Sequence, residues 1–329
     1  MKAIVQSGYG TPEQVLRLGE IDRPSVGDDD VLVRMRASSV NTPDWLTVTG
    51  TPYILRLKFG LRGPRTAVRG SDLAGVVEAV GQDVTNLKQG DEVFGSSWAD
   101  DLGTSGTFAD YAVAPAAKLI RKPTGLTFED ASASVMSGLT ALIAIRDVAN
   151  AGPHTRLLIN GASGGVGTFA VQIAKTLGAE VTGVCSTRNL ELVNSLGADH
   201  VIDYTEEDFT QSGKRYDVIL DNVMNYWPPK LSSALAPGGM LIPNSIGTTG
   251  GMFASLFKVA RATLMGQGSI EVKFVNLEVT HENLNDLAKL HESGDVKPVI
   301  DTVYPLKEAP KAVAHMLGHH AAGNIVIKM

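Results

Sequence analysis

The chain has 329 residues, more than one hydrophobic core usually serves, so two domains are expected. With 43 % hydrophobic and 19 % charged residues it has a globular rather than a disordered or fibrous composition, and a net charge of −6 disfavours a nucleic-acid partner, whose phosphates select a basic face. The single cysteine, Cys185, excludes an intrachain disulfide and thiolate zinc sites. No apolar run approaches the roughly 20 residues that span a bilayer, and the N-terminus MKAIVQSGYG lacks a signal pattern, so no membrane span and a cytoplasmic location are expected.

In chain order, the first stretch reads as strands at Lys2 to Gln6, Val15 to Gly19, Val31 to Val40, Gly75 to Val80, Asp91 to Gly95 and Phe108 to Val113, separated by Gly, Pro and Asp turns. In the third of these, Arg34 and Arg36 alternate with Val33, Met35 and Ala37, which predicts one wet face and an antiparallel, barrel-like domain. Asn41 to Arg69 reads as an irregular functional loop holding Trp45 and Tyr53, in which a partly exposed, ionised Asp44 orders the chain. Thr127-Phe-Glu-Asp130 announces a helix that runs to about Ala149 and joins the first domain to a second.

The second domain turns on Leu157 to Thr176, LLINGASGGVGTFAVQIAKT. A short apolar strand, a glycine turn and a helical repeat of Phe169, Val171, Ile173, Ala174 and Leu177 open a dinucleotide-binding βαβ unit. Ala162, Gly164 and Gly167 take the three places of the glycine pattern, so Ser163, Gly164, Gly165 and Val166 are expected to lie against a pyrophosphate at the helix N-terminus. Further strands follow at Val181 to Val184, Asp217 to Leu220 and Met240 to Pro243. Ile246 to Gln267 reads as glycine-rich and then helical, Ile270 to Val279 as an edge strand, and His281 to Ser293 as a helix. The terminal strand Gly323 to Met329 must pair with something and is expected to rejoin the N-terminal domain. The domains are therefore drawn as 1–122 with 296–329, and 123–295.

At the end of the second parallel strand an NAD-binding unit usually carries an acid for the ribose hydroxyls. Here the chain reads Cys185-Ser-Thr-Arg188, and the guanidinium with the Ser186 and Thr187 hydroxyls suits a 2′-phosphate, which makes NADPH the expected cofactor.

Several segments together resemble the medium-chain dehydrogenase/reductase superfamily, near its zinc-free quinone oxidoreductases and enone reductases. They are Ser39-Val-Asn-Thr-Pro-Asp44, Gly70-Ser-Asp-Leu-Ala-Gly-Val-Val77, Gly90-Asp-Glu-Val-Phe-Gly95, Gly106-Thr-Phe-Ala-Asp-Tyr111, Ser137-Gly-Leu-Thr-Ala141, the Gly161 to Gly167 loop, Leu196 to Tyr204 and Lys297-Pro-Val-Ile-Asp301. The resemblance covers almost the whole chain. It implies a GroES-like β-barrel domain joined to a Rossmann domain with a doubly wound parallel sheet, and an active site in the cleft between them. It also implies that Arg188 and Tyr204 flank the adenosine phosphate. Thr140, Asn222, Ser245 to Gly247, Phe274 and Val275 would approach the ribose or nicotinamide, with Asn41 on the nicotinamide side.

Zinc-dependent relatives place a cysteine and a Gly-His-Glu motif where this chain has Ser39 to Asn41 and Gly70-Ser-Asp72, so no metal is expected. Without a Lewis acid, hydride delivery to a quinone or an α,β-unsaturated carbonyl is easier than alcohol chemistry, because the charge moves to an oxygen that hydrogen bonds can stabilise. Tyr53 and Asn41 are the candidate donors, and Tyr53 or solvent would supply the proton. The competing readings are an NADPH-binding structural or RNA-binding protein and a zinc-free secondary-alcohol dehydrogenase. An uncapped edge strand at Ile270 to Val279 predicts a homodimer.

Overall fold

The structure is a computed structural model, and it describes residues 1–98, 106–226, 228–245 and 270–329. The expected helix within 246–267, and Gly247 with it, lie outside the described residues. The strands in chain order are β1 (Lys2–Gln6), β2 (Leu16–Glu20), β3 (Asp30–Val40), β4 (Asp72–Val80), β5 (Glu92–Ser96), β6 (Tyr111–Pro115) and β7 (Leu119–Arg121). They continue with β8 (Arg156–Asn160), β9 (Glu180–Cys185), β10 (His200–Asp203), β11 (Tyr216–Asp221), β12 (Leu235–Pro243), β13 (Glu271–Val272), β14 (Ile300–Pro305) and β15 (Asn324–Lys328). The chain divides into two compact units, Met1–Leu139 with Glu278–Gly294 and Pro298–Met329, and Thr140–Leu277 with Asp295–Lys297.

The first unit holds a seven-stranded sheet in the order β14-β15-β3-β4-β5-β7, with β6 also paired to β3. All its pairings are antiparallel except β14 with β15. Along β3, Val33, Met35 and Ala37 are buried while Arg34 and Arg36 are exposed, as the alternation requires. The terminal strand does rejoin this unit: β15 lies antiparallel to β3, with Ile325 opposite Val40 and Val326 opposite Ser39. Ile325 and Ile327 are buried in one cluster with Ile4, Leu16 and Phe108, which accounts for a short terminal strand staying ordered. The helix His281–Glu292 belongs to this unit as well, where His281 Nε2 lies 2.9 Å from the Ala116 carbonyl oxygen.

Two expectations for this unit change. Asn41 to Arg69 is not wholly irregular: Thr42–Thr49 is a helix. Pro43 sits in its first turn, Asp44 accepts from the Asn41 backbone N–H at 2.8 Å, and Gly50 closes it with a left-handed φ of 61°. The signature N-x-x-D was thus a helix cap. The second change concerns Asp44 itself, which is 6 % exposed rather than partly exposed.

The second unit holds six parallel strands in the order β10-β9-β8-β11-β12-β13. Order reverses between β8 and β11, the switch point at which α/β sheets bind their ligands. The strands read as near-continuous apolar runs because both faces are covered, and Leu157, Leu158, Ile159, Val181, Val184, Ile219 and Leu220 are all buried. The expected strand Ile270 to Val279 shrinks to Glu271–Val272, paired to β12 at the sheet edge. The helix Phe128–Leu142 and the turn Ile143–Val148 together have membrane-spanning length, but the most apolar window is 83 % buried, the signature of a core helix.

Candidate functional site

In the first unit the sheet register sets Ser38, Ser39 and Asn41 at the end of β3 beside Asp72 at the start of β4. Asp72 is fully buried, and one carboxylate oxygen accepts from Ser39 Oγ at 2.6 Å, Asn41 Nδ2 at 2.8 Å and the Met136 backbone N–H at 3.1 Å. Burial pushes its pKa up to about 6, against the pull of these donors. Ser38 Oγ ties the same corner together, donating to the Asp72 carbonyl at 2.7 Å and sitting 2.8 Å from Thr107 Oγ1.

A second buried carboxylate lies nearby. Asp44 receives the Asn41 N–H on one oxygen and the Gly70 N–H, at 3.0 Å, on the other. Burial raises its pKa to about 7; the Asp72 charge adds to the rise, while the two N–H donors and Arg69 oppose it. Arg69 is itself 7 % exposed and donates to the Thr66 carbonyl and, at 2.7 Å, to Thr66 Oγ1; burial lowers its pKa to about 10. Asp44, Thr47, Thr66 and Arg69, with Phe59 and Trp98, line a pocket of about 440 Å³ counted to its open mouth. A carboxyl group that titrates near neutrality against such a pocket can hold or release a proton at working pH.

Asn41 and Tyr53 stand in contrasting places. Asn41 is 5 % exposed, and its amide nitrogen is committed to Asp72 and, at 3.0 Å, to Ser39 Oγ. Tyr53 is 62 % exposed, with the Arg56 guanidinium 4.5 Å from its ring centre. Arg56 also lies over Tyr9, at 4.4 Å, and is fixed by the Gly50 carbonyl.

In the second unit the glycine loop leaves β8. The left-handed residue is Gly161, with φ 78°, one place earlier than the register centred on Ala162. Gly164 caps the helix Gly165–Thr176, whose first-turn N–H groups have no intrahelical partner. Gly167 has the hardest requirement, because a Cβ there would lie 2.1 Å from the Gly161 carbonyl oxygen. That is the close helix-to-strand packing a dinucleotide loop demands. Ser163 Oγ and, at longer range, Ser186 Oγ both accept from the buried Asn189 amide, at 3.0 and 3.4 Å, which links the loop to the end of β9. Arg188 and Tyr204 are exposed at the ends of β9 and β10.

One carboxylate at that corner was missed. Asp203 pairs in register with Cys185, so β10 delivers an acid to the end of β9 that a search along β9 alone does not find. Its Oδ1 accepts from Thr205 N at 2.9 Å and Thr205 Oγ1 at 2.7 Å, and Thr187 donates to it as well, which keeps it ionised.

Across the switch point, Asp221 holds the turn after β11, accepting on Oδ1 from Asn160 Nδ2 at 2.8 Å and from Val223 N and Met224 N. The turn presents Asn222, whose Oδ1 accepts from Asn244 at 2.7 Å while its buried Nδ2 has no partner among the described residues. Ser245 follows β12, and Phe274 and Val275 follow β13. Apart from Thr140, buried in the Phe128–Leu142 helix, the candidate cofactor residues that are described therefore follow the carboxyl ends of adjacent strands.

Residues 27–124 match the alcohol dehydrogenase GroES-like domain family, and 196–327 match the zinc-binding dehydrogenase family. A chloroplastic quinone-oxidoreductase of Triphysaria versicolor is 33 % identical over all of this chain and 98 % of its own length. The chain belongs to the medium-chain dehydrogenase/reductase superfamily. A trans-enoyl reductase of Aspergillus terreus is 33 % identical over 93 % of this chain and 88 % of its own. The Escherichia coli quinone oxidoreductase, solved with NADPH, superposes with a TM-score of 0.84 at 27 % identity, covering all of both chains.

A nicotinamide cofactor fits the second unit, where Gly167 leaves a cradle that a Cβ would fill and the Asn222 amide has no partner among the described residues. A zinc ion does not fit the corner of the first unit: Ser39, Asn41 and Ser71 are hydroxyl and amide groups, neither thiolate nor imidazole, and Asp72, with one oxygen taken up by three donors, is the only charged group among them. Among the described residues no group of three or more His, Cys, Asp or Glu could hold a metal.

Proposed function

We propose that this oxidoreductase delivers hydride from NADPH to quinones or to the activated C=C bonds of 2-alkenals and enones, and does so without zinc. The observation that carries the reading is the glycine loop at the switch point, with hydroxyls and Arg188 at the end of β9 in place of the usual acid. The names borne by the similar proteins, quinone oxidoreductase and trans-enoyl reductase, support the acceptor class. We assign Ser163 to Val166 to the pyrophosphate, Ser186, Arg188 and Tyr204 to the adenosine phosphate, and Thr140, Asn222, Ser245, Gly247, Phe274 and Val275 to the ribose and nicotinamide. The bound cofactor supplies a hydride.

The protein's own part is to take up the charge that hydride transfer sends to the acceptor oxygen. Tyr53 is the assigned donor, since its hydroxyl has no hydrogen-bond partner among the described residues. Asn41 is assigned to the same side, where its buried amide orients Ser39 and Asp72. Asp44 is placed to return a proton to the pocket at neutral pH.

The test is loss of NADPH absorbance with a quinone, a 2-alkenal, an alkenone and a saturated ketone, with NADH in parallel and a chelator in duplicate. Turnover of the conjugated acceptors alone, indifferent to chelator, is expected. Silence with tight NADPH binding would instead favour a binding role, and chelator-resistant alcohol oxidation a secondary-alcohol dehydrogenase.

A further inference from the structure

From Trp45 to Ser71 the sequence contains no acidic residue and five basic ones, Arg56, Lys58, Arg62, Arg65 and Arg69, in a chain whose net charge is −6. The middle of this segment is also where apolar side chains face water. Tyr53, Ile54, Leu57 and Leu61 are 62, 52, 67 and 70 % exposed, and they account for half of the exposed large hydrophobics among the described residues. Tyr53–Leu55 and Arg56–Phe59 form one short helical run, so Tyr53 and Leu57 are a turn apart on one face with Ile54 beside them. Arg62 and Arg65 are exposed directly after it and make no ion pair among the described residues. Exposed apolar groups of this size, framed by unpaired cations, are costly in water and need an explanation.

We propose that this face docks on an anionic lipid surface, with Ile54, Leu57 and Leu61 entering the headgroup boundary and Arg62 and Arg65 on the lipid phosphates. The chemistry selects that occupant. An amphipathic, locally basic segment on an otherwise acidic protein meets an anionic bilayer with both its apolar and its charged elements satisfied. A second copy is a poor fit: a two-fold contact sets the same patch against itself, cation against cation. The proposed reaction uses Tyr53 of this same segment, so the test keeps Tyr53 in place and reads vesicle binding rather than turnover.

The test uses the full-length protein and sedimentation with vesicles of phosphatidylcholine alone or with phosphatidylglycerol. The protein is expected to sediment with the phosphatidylglycerol vesicles and not with phosphatidylcholine alone, and to be released at high salt. Arg62→Gln with Arg65→Gln is expected to weaken binding on the order of 30-fold. Leu57→Asp with Leu61→Asp, both on the exposed side, is expected to abolish it while leaving the thermal midpoint and NADPH affinity unchanged. Failure of the wild-type protein to bind overturns the proposal. So does binding that survives the leucine substitutions, or a wild-type dimer that these substitutions split, since the face would then be a subunit contact.

Discussion

Asp44 and Asp72 share a corner in which each disfavours the other's charge, and the sign of their effect on stability follows from the direction of their shifts. Asp44 is raised from 3.8 to about 7 and Asp72 from 3.8 to about 6, so between those limits the folded state binds protons that the unfolded chain has released. Their contribution to stability is therefore greatest at low pH and is lost as pH rises through about 6 to 7. Unfolding by urea at about pH 5.5 should be harder than at about pH 8, with Asp44 contributing about 2 kcal/mol of the difference. Asp44→Asn should remove most of that slope, and an unchanged slope would show that Asp44 is ionised in the folded protein. None of this was legible in the sequence, where Asp44 read as a partly exposed, ionised loop acid. Burial of Asp72 depends on β3, β4 and the Phe128–Leu142 helix closing over it, and that of Asp44 on the distant Gly70 segment, residues far apart in the chain. Arg188 was legible, because its place is fixed by strand length alone. Replacing it with Gln should raise KM for NADPH about tenfold or more and leave that for NADH nearly unchanged. Asp203→Asn should act in the opposite direction by lifting a negative charge from the same corner; equal effects of both variants on the two cofactors would sink the assignment.

The elements that periodicity describes well are those whose neighbours repeat the same message. The helix Gly165–Thr176 and strands β8, β9 and β11 fall where the apolar pattern puts them, since each lies wholly within one buried layer. The helix Thr42–Thr49 escaped because its pattern is short and its cap pairs an Asn with an Asp rather than the more familiar Ser and Glu. The edge strand was overcalled for the complementary reason: alternation from Glu271 to Val279 is real, but only Glu271–Val272 finds a partner on β12. Within the glycine loop the sharpest prediction is Gly167→Ala. The added methyl meets the Gly161 carbonyl at 2.1 Å and the Ala162 backbone at 2.8 Å, so the helix must move away from β8. A cost of roughly 2 to 4 kcal/mol in stability and loss of measurable NADPH binding are expected. At Gly164 an added methyl would meet only the Gly161 carbonyl oxygen, at an ordinary contact distance of 3.6 Å, so Gly164→Ala should fold normally and serves as the control for fold in the same calorimetric titration.

At the scale of the molecule, the six-stranded sheet ends at β13, and the residues that follow are extended, exposed or half-buried, and include Phe274 at 46 % exposure. A sheet edge with no further strand beside it among the described residues is a template for another strand, and a second copy supplies one with its direction reversed by the two-fold axis. The expected assembly is a homodimer in which two six-stranded sheets join across Lys273 to Val279. Light scattering should give a mass of twice 34.8 kDa. Leu277→Pro, which removes a backbone donor from that edge, should give a monomer. The basic face around Leu57 and Leu61 belongs to the other unit, so the two surfaces make separable predictions: the proline variant should split the dimer yet keep lipid binding. A wild-type monomer at micromolar concentration would refute the edge pairing while leaving the lipid-facing segment to be judged on its own.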